Sequence, residues 1–202
     1  PAGLQSAVFA ISNIVIQSAI NSLGKVVMAA SSAAYNIEVF AYDVMNSYNQ
    51  ACTTFVGQNY GAGQIRRCRK TLYLCLIEDA VSLGATVALV LLTGHFLLSI
   101  FNNDPQVVAL GYDRLKIVFF AYIFSLLYEV MSGYLRGFGI SLVPAVLTML
   151  GVCGIRIAWV KFVFPQSRTF QTIMTVYPVS LGATALLICI AAFLYRPSKR
   201  FA

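Results

Sequence analysis

An all-α membrane protein of six transmembrane helices is the fold class that this sequence predicts. Six apolar runs, each of about 20 to 30 residues, fill almost the whole 202-residue chain. Charged residues make up 10% of it against 59% hydrophobic, with a mean hydropathy of +0.78. A soluble domain carries about 25% charged residues, so this chain lacks the material for a polar exterior. No strand-like alternation competes, and a spanning helix satisfies the backbone hydrogen bonds that lipid cannot.

The elements follow in order from the punctuation. The first helix covers about 4–23 and stops at Gly24-Lys25. The second, 28–57, ends in Gln58-Asn-Tyr-Gly-Ala-Gly63. The third, 71–101, stops at Asn102-Asn-Asp-Pro105, and the fourth, 107–137, at Gly137-Phe-Gly139. The fifth, 141–164, ends in Phe164-Pro-Gln-Ser167, and the sixth runs over 171–195. The chain opens on Pro1 with apolar sequence at once, and an upstream portion is expected to be missing.

The net charge of +7 sits at the ends of the apolar runs, where basic residues orient a membrane protein, and forms no groove for nucleic acid. With the first helix running outward, the inner segments hold Arg66, Arg67, Arg69, Lys70, Arg136, Arg196, Lys199 and Arg200. The outer ones hold Lys25, Arg114, Lys116, Lys161 and Arg168. The excess of basic residues inside predicts a cytoplasmic C-terminus for a multi-pass protein, whose expected location is the plasma (inner) membrane.

Five cysteines (Cys52, Cys68, Cys75, Cys153, Cys189) and the single His95 are scattered without metal-ligand spacing, so the cysteines read as small apolar packing residues. Gly57–Gly63 lacks the strand and the Lys-Ser/Thr ending of a phosphate loop. No catalytic triad is available either, and the chain is not expected to be an enzyme.

Five of the seven acids fall within apolar runs: Glu38, Asp43, Glu78, Asp79 and Glu129. A charge near the bilayer centre costs at least about 2.5 kcal/mol, so such groups face a cavity or a partner. Glu38 lies near the midplane of the second helix. Asn36, Asp43, Ser47, Gln50 and Thr54 form a polar stripe on that helix, widened by Tyr35, Tyr42 and Asn49. The first helix offers Ser6, Asn13, Gln17 and Asn21 on one face. Two such stripes can line a hydrated passage or serve as interhelical hydrogen bonds. Glu129 is either a protonatable site or a partner for a base, with Arg156 as one candidate. Glu78 and Asp79 are expected to reach back to the Arg66–Lys70 cluster as structural groups. A proton and a cationic solute exclude one another at a buried carboxylate, which is the chemistry of antiport.

Phe55-Val-Gly-Gln-Asn-Tyr-Gly-Ala-Gly-Gln64 followed by Arg66-Arg67-Cys68-Arg69 resembles the signature of the multidrug and toxic compound extrusion (MATE) transporters. Pro1–Gln5, Gly133-Tyr-Leu-Arg-Gly-Phe-Gly139 with Pro144, and Arg156-Ile-Ala-Trp159 with Phe164-Pro165 match the family in order and spacing. The resemblance implies that residues 1–202 are the C-terminal lobe, helices seven to twelve of a twelve-helix transporter, whose N-terminal lobe is a missing partner. It implies secondary active efflux of organic cations and drugs by alternating access, coupled to H+ or Na+ with no other cofactor. Within the resemblance, Gln58, Asn59, Tyr60, Gly61, Arg66 and Arg67 form a cytoplasmic structural loop. The substrate and coupling candidates are Glu38, Asp43, Glu129, Asn13, Gln17, Asn36 and Tyr35. The acids of the sodium-coupled branch fall here at about Phe9 and Ser125, neither of them acidic, so the pattern is closer to the DinF-like branch. Alternatives are a lipid-linked saccharide flippase, against which the acid-and-amide lining counts, and a non-transporting membrane scaffold subunit.

Overall fold

A computed structural model describes residues 2–195 and 197. Among them the chain is helical, with six rods where the apolar runs lie. They are α1 (Ala2–Asn21), α2 (Lys25–Gly61), α3 (Ile65–Phe101), α4 (Pro105–Gly137), α5 (Leu142–Gln166) and α6 (Phe170–Tyr195). The last four are long and apolar enough to cross a membrane, and Val8–Asn21 is a shorter apolar segment. α2 is long enough, with 37 residues or about 55 Å at 1.5 Å per residue, but its polar stripe lowers its apolarity.

Local signals set the ends. Asp104 caps α4 by accepting from the Gln106 N–H at 2.8 Å, with Pro105 in the first turn. Thr169 caps α6 through the Thr172 N–H. Gly139 closes α4 at φ +81°, a conformation that disfavours any side chain.

α4 is the central helix, packed by α2, α3 and α6, while α1 lies against α5 and the near end of α2. α2 and α4 approach closely because glycines remove side chains from their seam. A Cβ on Gly133 would stand 2.5 Å from the Asn49 carbonyl, and one on Gly137 2.6 Å from Val56. The main core joins Met45, Leu83, Leu115, Val118, Val152 and Ile188 across five helices. A second cluster at one end joins α1 (Ile16, Ile20) to Phe164, Ile173 and Met174. The opposite end is closed by Cys52, Val56, Cys68, Cys75, Val130, Tyr134 and Phe138. Four of the five cysteines are buried and all are free thiols. Outward faces carry Ile77, Val81, Leu92, Phe96 and Phe193, the apolar surface that lipid covers.

α5 is irregular. Met149–Gly154 and Trp159–Val163 are π-helical turns, and the four residues Ile155–Ala158 between them are α-helical. Such widened turns are rare and occur frequently at functional sites.

A polar cavity between α1, α2, α4, α5 and α6

A cavity of about 670 Å³ opens between five helices. α2 lines it with Tyr35, Glu38, Val39, Tyr42, Asn46 and Asn49, the three- and four-residue spacing of one helix face. The predicted stripe of Asn36, Asp43, Ser47, Gln50 and Thr54 lies one residue on, about 100° around the helix, and is exposed. Ser47 and Thr54 donate back to their own helix, to the Asp43 and Gln50 carbonyls. On α1, Asn13 reaches the cavity, whereas Gln17 is exposed and bonded to Asn21 at 2.8 Å. Of the candidates, Glu38, Glu129, Asn13 and Tyr35 therefore meet in one cavity; Asp43, Asn36 and Gln17 do not line it. The Ser6 side chain and the basic Arg196, Lys199 and Arg200 lie outside the described residues.

Glu38 is not alone. Arg114 Nε donates to Glu38 Oε1 at 2.7 Å and Arg114 Nη2 to Oε2 at 2.9 Å, a bidentate pair with both side chains buried. Arg114 Nη2 also reaches the Tyr177 hydroxyl at 3.4 Å, and Tyr122 donates to the Glu38 backbone carbonyl. Counting Arg114 as an outer flank residue is thus corrected. It stands nine residues into α4, about 14 Å along the axis, and its long side chain turns into the bundle. Lys116, two residues on, faces outward and pairs with Asp113 at the surface.

Glu129 is held by neutral groups. Asn49 Nδ2 donates to its Oε2, and the Tyr42 hydroxyl to its Oε1 at 3.5 Å. Arg156 does not pair with it. Its Nε donates to Ser180 Oγ at 3.4 Å, its Nη1 to Asn13 Oδ1 at 3.3 Å, and its guanidinium lies 4.8 Å from the Tyr177 ring centroid. Arg114 stands 5.4 Å from the same ring. With Arg136 also in the wall, the cavity carries three guanidiniums against two carboxylates. The expected lining of acids and amides is therefore too acidic a picture, because Arg114 and Arg136, helix-end charges by their place in the sequence, stand in the cavity wall. Phe9 and Ser125 also line the cavity.

Asp79 does not reach the basic cluster. It is fully buried, and neither carboxylate oxygen has a hydrogen-bond partner among the described residues; Glu78 is exposed. His95 stacks on Tyr112 at the surface.

The Gln58–Arg67 segment is a tight helix-to-helix turn. Gln64 N–H donates to the Asn59 carbonyl at 2.8 Å, Asn59 Nδ2 to the Phe55 carbonyl at 2.7 Å, and Gly63 takes φ +70°. Tyr60 packs on Phe138 with centroids 5.0 Å apart, tying the turn to the end of α4. Gly61 ends α2, and Arg66 and Arg67 are exposed.

Fold and cavity together define a multi-pass, all-helical membrane protein with a polar interior site. The chain belongs to the MatE family, whose model matches residues 1–160. Among curated relatives, the probable multidrug resistance protein NorM of Chromobacterium violaceum is 26% identical over 190 residues, 90% of this chain and 40% of the relative. The probable multidrug resistance protein YpnP of Bacillus subtilis is 26% identical over 197 residues, 96% of this chain and 43% of the relative. Mouse multidrug and toxin extrusion protein 1 is 30% identical over 131 residues, 64% of this chain and 23% of the relative. The chain thus spans about two fifths of the length of the first two. The same fold occurs in the crystal structure of a MATE protein in a bent conformation, with a TM-score of 0.84 at 17% identity, covering 95% of this chain and 43% of that one. It occurs again in an outward-facing MATE transporter, with a TM-score of 0.79 at 19% identity.

Proposed function

We propose that this chain is the C-terminal lobe of a secondary exporter that moves organic solutes in exchange for H+ or Na+ by alternating access. The observation that carries the proposal is Glu129, a buried carboxylate held by neutral donors at the wall of a 670 Å³ cavity. In a low-dielectric site a carboxylate is either protonated or paired with a cation, and the two states exclude each other. Loading a cationic solute then expels the proton or sodium ion, which is exchange. Glu38 already has a resident counter-ion in Arg114, so Glu129 takes the coupling role, and Glu38 shapes the wall. Non-acidic Phe9 and Ser125 in that wall support the DinF-like assignment.

The exposed polar face of α2, with Asn36, Asp43 and Gln50, is where a complementary N-terminal lobe would complete the passage. The Arg66–Lys70 cluster supports placing its loop and the C-terminus in the cytoplasm.

The test is uptake of a fluorescent organic cation into inverted proteoliposomes holding this chain with a complementary lobe, under an imposed proton or sodium gradient. Glu129→Gln is expected to abolish the response to the gradient. Full gradient-driven transport by that variant refutes the coupling role, and no transport by the parent pair favours a scaffold subunit.

A further inference from the structure

Arg156 is a buried cation without a counter-ion among the described residues. A guanidinium keeps its charge throughout the working pH range, and burying one without a partner is costly. Arg156 is 7% exposed and lines the cavity, yet no carboxylate lies within ion-pair distance of it among the described residues. Its two protein acceptors are neutral and long, at 3.3 and 3.4 Å, and its Nη2 group has no protein acceptor among the described residues. The contrast with Arg114 is direct. Both guanidiniums flank Tyr177, but only Arg114 is neutralised, by two short bonds to Glu38. The Tyr177 hydroxyl accepts from Arg114 at 3.4 Å, while its ring lies against Arg156, on which the Asn13 side chain also converges. The two π-helical turns of α5 bracket the one α-helical segment that carries Arg156.

We propose that Arg156, with Asn13 and Tyr177, is an oxyanion subsite, and that the transported solute supplies the anion as a carboxylate or phosphate. Resting on the exchange reading of this cavity, the inference narrows the solute class. Glu129 takes a cationic end and Arg156 an anionic end, so the preferred solute is zwitterionic rather than simply cationic. The wall between them offers Tyr122, Tyr128 and Leu181 to an apolar or aromatic middle.

The experiment uses a rhodamine dye with a free benzoate and its methyl ester, two probes that differ only in the anion. Their affinities for the purified chain in phosphatidylcholine nanodiscs are read by fluorescence anisotropy. The free acid is expected to bind more tightly than the ester. Arg156→Gln should weaken the acid by about tenfold or more, the loss of one charge-assisted contact, and leave the ester unchanged. Asn13→Asp supplies an internal counter-ion beside Arg156 without removing it, and should erase the preference even if Arg156→Gln folds poorly. Glu129→Gln should weaken both dyes alike. Equal effects of Arg156→Gln on both dyes, or a parent that prefers the ester, overturn the subsite. An ester that binds through Glu129 and ignores Arg156 keeps the exchange reading while sinking this one. Failure of both dyes to bind the parent sinks both. A preference that disappears in phosphatidylglycerol discs gives the subsite to a net anionic lipid headgroup and overturns the solute assignment.

Discussion

Glu38→Gln should be among the most destabilising single changes in this chain. The substitution keeps the shape of the side chain but leaves Arg114 charged, buried and without its carboxylate. The side chains of the pair are only 3% and 4% exposed, so little water is available to replace it. Two bonds of 2.7 and 2.9 Å to a charged acceptor are lost, each worth about 1.5–3 kcal/mol. Breaking a buried pair from one side costs about 3–5 kcal/mol, two to four powers of ten in the folding equilibrium. Lys116 and Asp113 provide the internal control. Their contact is equally short at 2.7 Å, but the side chains are 52% and 53% exposed. Asp113→Asn should therefore cost no more than about 0.5 kcal/mol. The assay is denaturant-dependent unfolding in mixed micelles, followed through Trp159, the single tryptophan, whose indole N–H is bonded to the Thr172 carbonyl between α5 and α6. The double variant Glu38→Gln, Arg114→Gln should recover much of the loss, because it removes the stranded charge. A cost below about 1 kcal/mol for Glu38→Gln, or one matched by Asp113→Asn, would refute the reasoning.

Gly133→Ala should cost about 1–3 kcal/mol by overpacking, since the new methyl meets Asn49 and Thr53, whereas Gly182→Ala, with nothing nearer than 3.9 Å, should be near neutral in the same assay. Separation of α2 from α4 in Gly133→Ala should also loosen the Asn49 bond to Glu129, read as faster amide exchange along the seam. Asp79→Asn should be neutral or stabilising by up to about 2 kcal/mol at pH 8, because an amide removes the charge of a buried carboxylate that has no hydrogen-bond partner among the described residues. A loss above about 1 kcal/mol at pH 8 would show that the negative charge itself is needed there.

The helices were legible because lipid imposes one length and one hydrogen-bonding solution on every spanning run, and glycines, prolines and capping residues mark the ends. α5 departed most from regularity: nothing in Met149–Val163 signals π-helical turns, since the same residues suit an α-helix. The cavity was legible in type more than in membership. A helix face is 100° from the next residue, so Asp43 and Tyr42 are indistinguishable as cavity residues until the packing partner is known. Tyr42 faces inward because the seam against Gly133 and Gly137 fixes the rotation of α2. Arg114 was hidden for another reason. Counting from the helix end makes it a flank residue, but a side chain that long reaches a carboxylate one helix away. The spacing to Lys116 was the available signal, since two residues apart on a helix cannot both face the same way.

The glycine seam divides the cavity into two mechanical parts. Glu38, Arg114 and Glu129 all ride on α2 and α4, locked backbone to backbone at Gly133 and Gly137, and so travel as one stiff plate. Arg156 rides on α5, the wall that carries the widened turns. Sliding or straightening α5 against the plate changes the gap between Arg156 and Glu129 without breaking the Glu38–Arg114 pair. On the proposed exchange reading, the cavity is a caliper with one fixed jaw, and the span between Arg156 and Glu129 is the quantity that movement would adjust.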